Sequence, residues 1–246
     1  MALPTTTPTR TSADRCAICG GGLDGALFFM PNRPERYCAA CVAQRPRCDG
    51  CGAPVGPGHW RLHDGRINCA RCHATAIYDL AFAQELFYQT VGAVVADLGL
   101  TLRVGVAFRM LDAPDMARLR AAGDTPPPRE GTLGLYQRQG SLRVIYMLYG
   151  LPRLTFRMVV AHEYAHAWQG ETCPLLDDYD LREGFAEWVA YRHLRYIGAE
   201  KAARQLLESS HPYRPLLERV LAVERARGPA GVIDHILAVG RGSVVL

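Results

Sequence analysis

Lysine is nearly missing from this chain: Lys201 is the only one among 28 basic residues, so arginine carries the positive charge. That skew is a coding bias and says nothing about chemistry. A large net charge is missing too. Twenty-four acidic residues offset the basic ones to leave +4 over 246 residues, too mild to call for a nucleic-acid partner. Long apolar runs are also absent. No stretch reaches the roughly 18 uncharged apolar residues that a membrane helix needs, and the best candidate, 86–108, is interrupted by Asp97 and Arg103. No membrane span is expected. Residues 1–14 are rich in Thr and Pro, lack the apolar core of a signal peptide, and read as a disordered leader. Without a signal peptide, the cysteines are expected as thiolates in a reducing, cytoplasmic compartment rather than as disulfides.

What is present divides the chain in two. Of nine cysteines, all but Cys173 fall between Cys16 and Cys72, in four C-x-x-C pairs: Cys16/Cys19, Cys38/Cys41, Cys48/Cys51 and Cys69/Cys72. The pairs repeat. Cys16-Ala-Ile-Cys19-Gly20 matches Cys48-Asp-Gly-Cys51-Gly52, and Tyr37-Cys38-Ala-Ala-Cys41 matches Asn68-Cys69-Ala-Arg-Cys72. Units this small bury no core and need a staple. A C-x-x-C turn presents two thiolates to one zinc ion, and two such turns close a tetrahedron. The repeat favours sequential grouping: Cys16, Cys19, Cys38 and Cys41 on one structural zinc, Cys48, Cys51, Cys69 and Cys72 on a second. A cross-braced arrangement would interleave the pairs. His59, His63 and His73 are each able to replace a cysteine, although an exposed loop histidine is the plainer reading. A zinc closed by four cysteines has no open position, so these modules, over 15–73, are expected to fold the front end and present a surface to a protein partner.

From 74 onward the pattern is that of an α+β domain with a 49% hydrophobic chain behind it, enough for one real core. Helical spacing predicts a helix over 74–98 and strands over 101–110 and 142–149. The stretch 112–132 carries Pro114 and Pro126 to Pro128 and reads as loop or broken helix. A helix is predicted over 154–168, stopped by Gly170, another over 180–197, and two or three short ones over 199–239.

The first of these C-terminal helices carries His162-Glu163-Tyr-Ala-His166. Two histidines four apart share a helix face and reach one ion, and Glu163 lies beside that face, where it can act as general base. Satisfied core histidines are the bland alternative. Apolar flanks weaken it, because two unpaired imidazoles and a carboxylate are costly to bury. A catalytic zinc needs a third protein ligand and an open fourth position. Glu183 and Glu187 are again four apart on the next predicted helix; we assign Glu183 as third ligand and Glu187 as acceptor for a ligand histidine N–H. The reverse assignment stays open. This His/His/Glu pattern predicts a zincin-like (gluzincin) peptidase domain over 74–246, with Zn2+ in one catalytic and two structural sites and a protein or peptide as substrate. The strand 142–149 is expected to border the cleft and to pair with an extended substrate, as such strands do in many zincins. Tyr191, His193, His211 and Tyr213 are candidate oxyanion donors.

The chain resembles a known family, the plant LIM-domain growth-regulating zinc peptidases that are activated by ubiquitin. The likeness is densest over Val144-Ile-Tyr-Met-Leu-Tyr-Gly150-Leu-Pro152-Arg-Leu, through His162-Glu163-x-x-His166-Ala-Trp168, to Glu183-Gly184. It implies a LIM-like front end and a zinc peptidase that cleaves itself and selected proteins. The family's ubiquitin-interacting helix has no counterpart before Cys16, and Glu187 stands where the family has glutamine. A different class of reading is a zinc-finger adaptor with a non-catalytic peptidase-like domain. Intact His162, Glu163, His166 and Glu183 favour the enzyme, because a scaffold has no use for the general base.

Overall fold

The structure is a computed structural model that describes residues 15–23, 27–29, 34–122, 131–208 and 211–242. The expected leader and the triple-proline run lie outside the described residues. The chain divides into two compact units, Met1–Ala74 and Thr75–Leu246.

The first unit repeats one small plan. An antiparallel pair, β1 (Leu27–Phe29) and β2 (Arg36–Cys38), leads into helix α1 (Ala39–Gln44), and β3 (Trp60–Arg61) with β4 (Ile67–Asn68) leads into α2 (Ala70–His73). A cysteine stands at the N-cap of each helix, Cys38 and Cys69. Each repeat begins with a tight knuckle closed by glycine at positive φ, Gly20 (69°) and Gly52 (71°), a region that favours glycine. An arginine latches each knuckle. Arg15 donates to the Gly20 carbonyl at 2.9 Å, and Arg47 to the Gly52 carbonyl at 3.1 Å. In the second repeat the buried cluster consists of Cys48, Val55 and Cys72, with Cys51, Ile67 and Cys69 packed on it. The cysteines are the core.

The second unit is mixed α+β. Helix α3 (Leu80–Leu98) starts six residues later than 74, because Asp79 caps it by accepting from Phe82 N–H at 2.7 Å. The preceding residues run beside 150–153 instead: Ile77 N–H donates to Leu151 C=O at 2.9 Å, and Arg153 N–H to Thr75 C=O at 2.8 Å. Strand β5 (Ala107–Leu111) is followed by α4 (Ala113–Ala121), where Pro114 sits in the first turn, a place that needs no N–H donor. The three-stranded sheet has the order β5-β7-β6, with β7 (Leu142–Leu148) parallel to β5 and antiparallel to β6 (Gly134–Gln139). The strand at 142–149 is therefore the central one. Both its edges are paired, so it cannot take up a substrate strand as expected, and β5 and β6 hold the two edges of the sheet.

Helix α5 (Arg153–Thr172) runs through Gly170 rather than stopping there. A mid-helix glycine costs only about 1 kcal/mol against alanine, too little to end a helix whose preceding residues Ala167, Trp168 and Gln169 are buried. Helix α6 (Tyr179–Tyr196) packs along α5 and along α8 (Arg214–Gly240), which bends where Gly228 (φ 71°) precedes Pro229. Helix α7 (Glu200–Glu208) lies between them in sequence. Phe156, Ile145, Met147, Phe185, Trp188 and Leu217 form the centre of the core. Among the described residues no helix is long and apolar enough to cross a membrane.

His193 of α6 is 1% exposed, and neither ring nitrogen has a hydrogen-bond partner among the described residues. Burial, helped by the nearby Arg157 charge and opposed by Asp97, pulls its pKa from 6.5 down to about 4. Below pH 6.5 the unfolded chain therefore binds a proton that the folded chain refuses. Stability is full above 6.5, falls as pH drops through that window, and levels off below about 4. At about 1.4 kcal/mol per unit, the loss is roughly 3 kcal/mol. Denaturant midpoints of the parent and of His193→Leu, compared from pH 7 to 4, should diverge by that order. Parallel curves would show that the imidazole is relieved by a partner.

Candidate metal centres

Each four-cysteine group brings its sulfurs within 4.8 Å of one another, with the sequential grouping: Cys16, Cys19, Cys38, Cys41, and Cys48, Cys51, Cys69, Cys72. None of the nine cysteines forms a disulfide. A tetrahedron with zinc–sulfur bonds of about 2.3 Å sets the sulfurs ~3.8 Å apart. Cys19 and Cys38 Sγ are 3.8 Å apart, and Cys51 and Cys69 Sγ are 3.9 Å apart. The electrostatics also fit a cation. Thiol hydrogen bonds from Cys51 and Cys72, with backbone amides such as Cys69 N–H at 3.2 Å, hold the Cys48 thiol far below its usual range. That one anion pushes its neighbours up, Cys51 to about 11. In the other group burial opposes, but the Cys19 and Cys38 amides overcome it, bringing Cys16 down to about 6 while Cys41 rises to about 12. Four thiolates coexist only around positive charge, and both sets suit structural zinc. No histidine joins either set: His59 Nδ1 lies 2.8 Å from the Gly56 carbonyl, and the His73 ring stacks on Trp60 with centroids 4.2 Å apart.

The third group lies where α5 meets α6. Gly184 lets α6 seat on α8, because a Cβ there would stand 2.8 Å from the Leu216 carbonyl oxygen. This packing turns Glu183 toward α5. His162 Nε2 and His166 Nε2 are 3.1 Å apart, and Glu183 Oε2 is 3.4 Å from the first and 3.5 Å from the second. Zinc bonds of about 2.0–2.2 Å to nitrogen and oxygen require tetrahedral donors ~3.3–3.5 Å apart. The three atoms form a triangle of the size a metal needs.

Each histidine is held from its far side. Glu187 Oε1 lies 3.3 Å from His162 Nδ1, and Gln169 Oε1 lies 3.0 Å from His166 Nδ1. Gln169 Nε2 in turn donates to the Arg182 carbonyl at 3.0 Å. An acceptor on each Nδ1 favours, in the neutral rings, the tautomer whose Nε2 lone pair faces the triangle. Burial works against a charged His162, but the Glu183 and Glu187 carboxylates outweigh it and hold its pKa well above 6.5. Burial raises and the two imidazoles lower Glu183, and the imidazoles win; His162 does the same to Glu187. Two imidazoles among three carboxylates leave an excess of negative charge that a divalent cation would balance.

Glu163 is 8% exposed and stands outside the triangle. Its Oε2 accepts the Tyr136 amide of β6 at 2.9 Å. Gly134 makes that approach possible: a Cβ there would stand 2.4 Å from Val159 Cγ1 and 2.9 Å from Glu163 Cγ. Of the four candidate oxyanion donors, Tyr191 packs against the core beside Arg195, and His193 is buried away from the triangle. Tyr213 reaches it. Its ring stacks on His162 with centroids 6.3 Å apart and 17° between planes, and the His211 ring meets it edge-on at 5.1 Å. Cys173 is buried with its Sγ 3.8 Å from the Ile236 carbonyl, in contact with α8 rather than the triangle.

Gln169, Gly134 and the Tyr136 amide escaped sequence reasoning, and only the first left a trace. A glutamine one turn after His166 on a buried face must have a partner, whereas the strand that gives Gly134 and Tyr136 their meaning is not evident in the sequence.

The fold and sites define a mixed α+β protein with two four-cysteine zinc-type sites and a third, His/His/Glu donor set. No family model matches the chain, and no solved structure matches it. It is similar to Protein DA1 of Arabidopsis thaliana, 24% identical over 204 residues, which cover 69% of this chain and 38% of the relative. The chain thus spans well under half of that relative's length.

Proposed function

We propose that the chain is a zinc-dependent peptidase of the gluzincin type, acting on protein substrates, itself among them, with the zinc modules recruiting a partner or substrate. The observation that carries this is the triangle of His162, His166 and Glu183 with Glu163 beside it and outside the ligand set. The likeness to Protein DA1 and the family resemblance support it. Thiolate chemistry at eight cysteines fits a reducing, cytoplasmic setting.

Bound zinc would supply Lewis acidity, lowering the pKa of water and polarising the scissile carbonyl. Glu163 takes the water proton and returns it to the leaving amine. The Tyr136 amide fixes the Glu163 carboxylate, and Gln169 and Glu187 fix the two imidazoles. Because β6 is the edge strand beside Glu163, an extended substrate pairs there and not on β7.

Three donor sets imply three zinc ions per chain. Glu183→Ala removes a ligand, so zinc content should fall toward two and cleavage of an unfolded protein should be lost with it. Glu187→Ala should lower affinity or activity by about 10–100-fold, the usual effect of losing a ligand's supporting acceptor. Elemental analysis and a casein digestion check both. A larger metal loss from Glu187→Ala would exchange the two roles. Full zinc and full proteolysis in both variants would sink the site.

A further inference from the structure

Resting on the peptidase reading, we propose that the Tyr213 hydroxyl is the donor to the oxyanion that develops on the scissile carbonyl, and that Tyr179 positions it. Tyr213 stands at the N-cap of α8, and its ring is parallel to that of His162, the imidazole whose Nε2 points into the triangle. It is half-buried, so part of it stays accessible to solvent. Its position is set from two directions. The His211 ring meets it edge-on, and Tyr213 N–H donates to His211 Nδ1 at 3.4 Å. The Tyr179 hydroxyl, from the start of α6, lies 2.9 Å from the Tyr213 hydroxyl. When Tyr179 donates into the Tyr213 oxygen, the Tyr213 proton is left for a third group, and the donated bond polarises it into a stronger donor. A carbonyl becoming tetrahedral beside the His/His/Glu triangle gains negative charge where such a donor is worth most. The other hydroxyl and imidazole candidates on α6, Tyr191 and His193, are turned into the core.

The test compares the full chain with Tyr213→Phe and Tyr179→Phe. Four quantities are read: zinc per chain, kcat and KM on fluorescein-labelled casein, and calorimetric affinity for N-phosphoryl-leucyl-tryptophan, whose tetrahedral oxyanion copies the transition state. Tyr213→Phe should keep its zinc and its KM. Its kcat should fall by about 10²–10³-fold, the usual effect of removing one such donor, and affinity for the phosphoryl dipeptide should fall in parallel. Tyr179→Phe should show a smaller loss confined to kcat and dipeptide affinity, a split that a merely structural role would not give. An unchanged kcat in Tyr213→Phe, or a loss explained by lost zinc or raised KM alone, overturns the proposal. If the parent is active, is stopped by Glu163→Gln and is indifferent to Tyr213→Phe, only the tyrosine assignment fails. A parent with no proteolysis overturns the peptidase reading and this inference together.

Discussion

Glu163→Gln should keep all bound zinc and the parent's thermal midpoint, and lose proteolysis by about 10²–10⁴-fold, the contribution expected of a positioned general acid–base. Retention of the fold follows from geometry. The substitution is isosteric, and a glutamine oxygen accepts the Tyr136 amide as the carboxylate does at 2.9 Å. Retention of zinc follows from the donor set, which contains His162, His166 and Glu183 and not Glu163. What disappears is a base within reach of a water proton. Casein digestion and elemental analysis on the same preparation decide the matter. Undiminished cleavage by Glu163→Gln rules out the mechanism, and zinc lost along with cleavage would make Glu163 a ligand.

The second large effect concerns metal removal at the front. Chelation of the full chain, or Cys51→Ala alone, should unfold its module, because structural zinc in small modules contributes on the order of 10 kcal/mol. The physical reason is visible in the packing. The buried cluster of the second repeat is Cys48, Val55 and Cys72, with two more cysteines and Ile67 on it, so without metal there is almost nothing left to bury. The unit Thr75–Leu246 has its own core around Phe156, Phe185 and Trp188 and should stay protected. Hydrogen exchange resolved by residue distinguishes these outcomes. Exchange collapsing across both units in Cys51→Ala would make them one cooperative body.

The parts of the molecule legible in the sequence are those whose partners lie near in the chain. His162 and His166 are one helical turn apart, and the C-x-x-C pairs are single turns, so their spacing carries their geometry. Arg15 and Arg47 were equally legible, standing in the same repeat register as the cysteines, but an arginine before a cysteine has no fixed meaning until its carbonyl partner is seen. Long-range placement was not legible. The edge position of β6 depends on which strand pairs with which, and the segment 131–141 is too polar and glycine-rich to stand out as a strand. Gly170 read as a stop because local propensity disfavours it, but a penalty of about 1 kcal/mol is too small to end a helix whose preceding residues are buried. The choice of Tyr213 over His193 turned on the phase of α6 and on how closely α8 approaches it at Gly184, which no periodicity reports.

The hydrogen bond between the Tyr136 amide and Glu163 has a consequence for self-assembly. A sheet edge with all its outward amides and carbonyls available is a template for another copy of itself, and proteins that must stay dispersed blunt such edges. Here one rung of β6 is already taken by a side chain from α5. A second molecule laid edge to edge would have to give up that rung or evict the carboxylate. Orderly stacking of copies along β6 is therefore interrupted at this edge of the sheet.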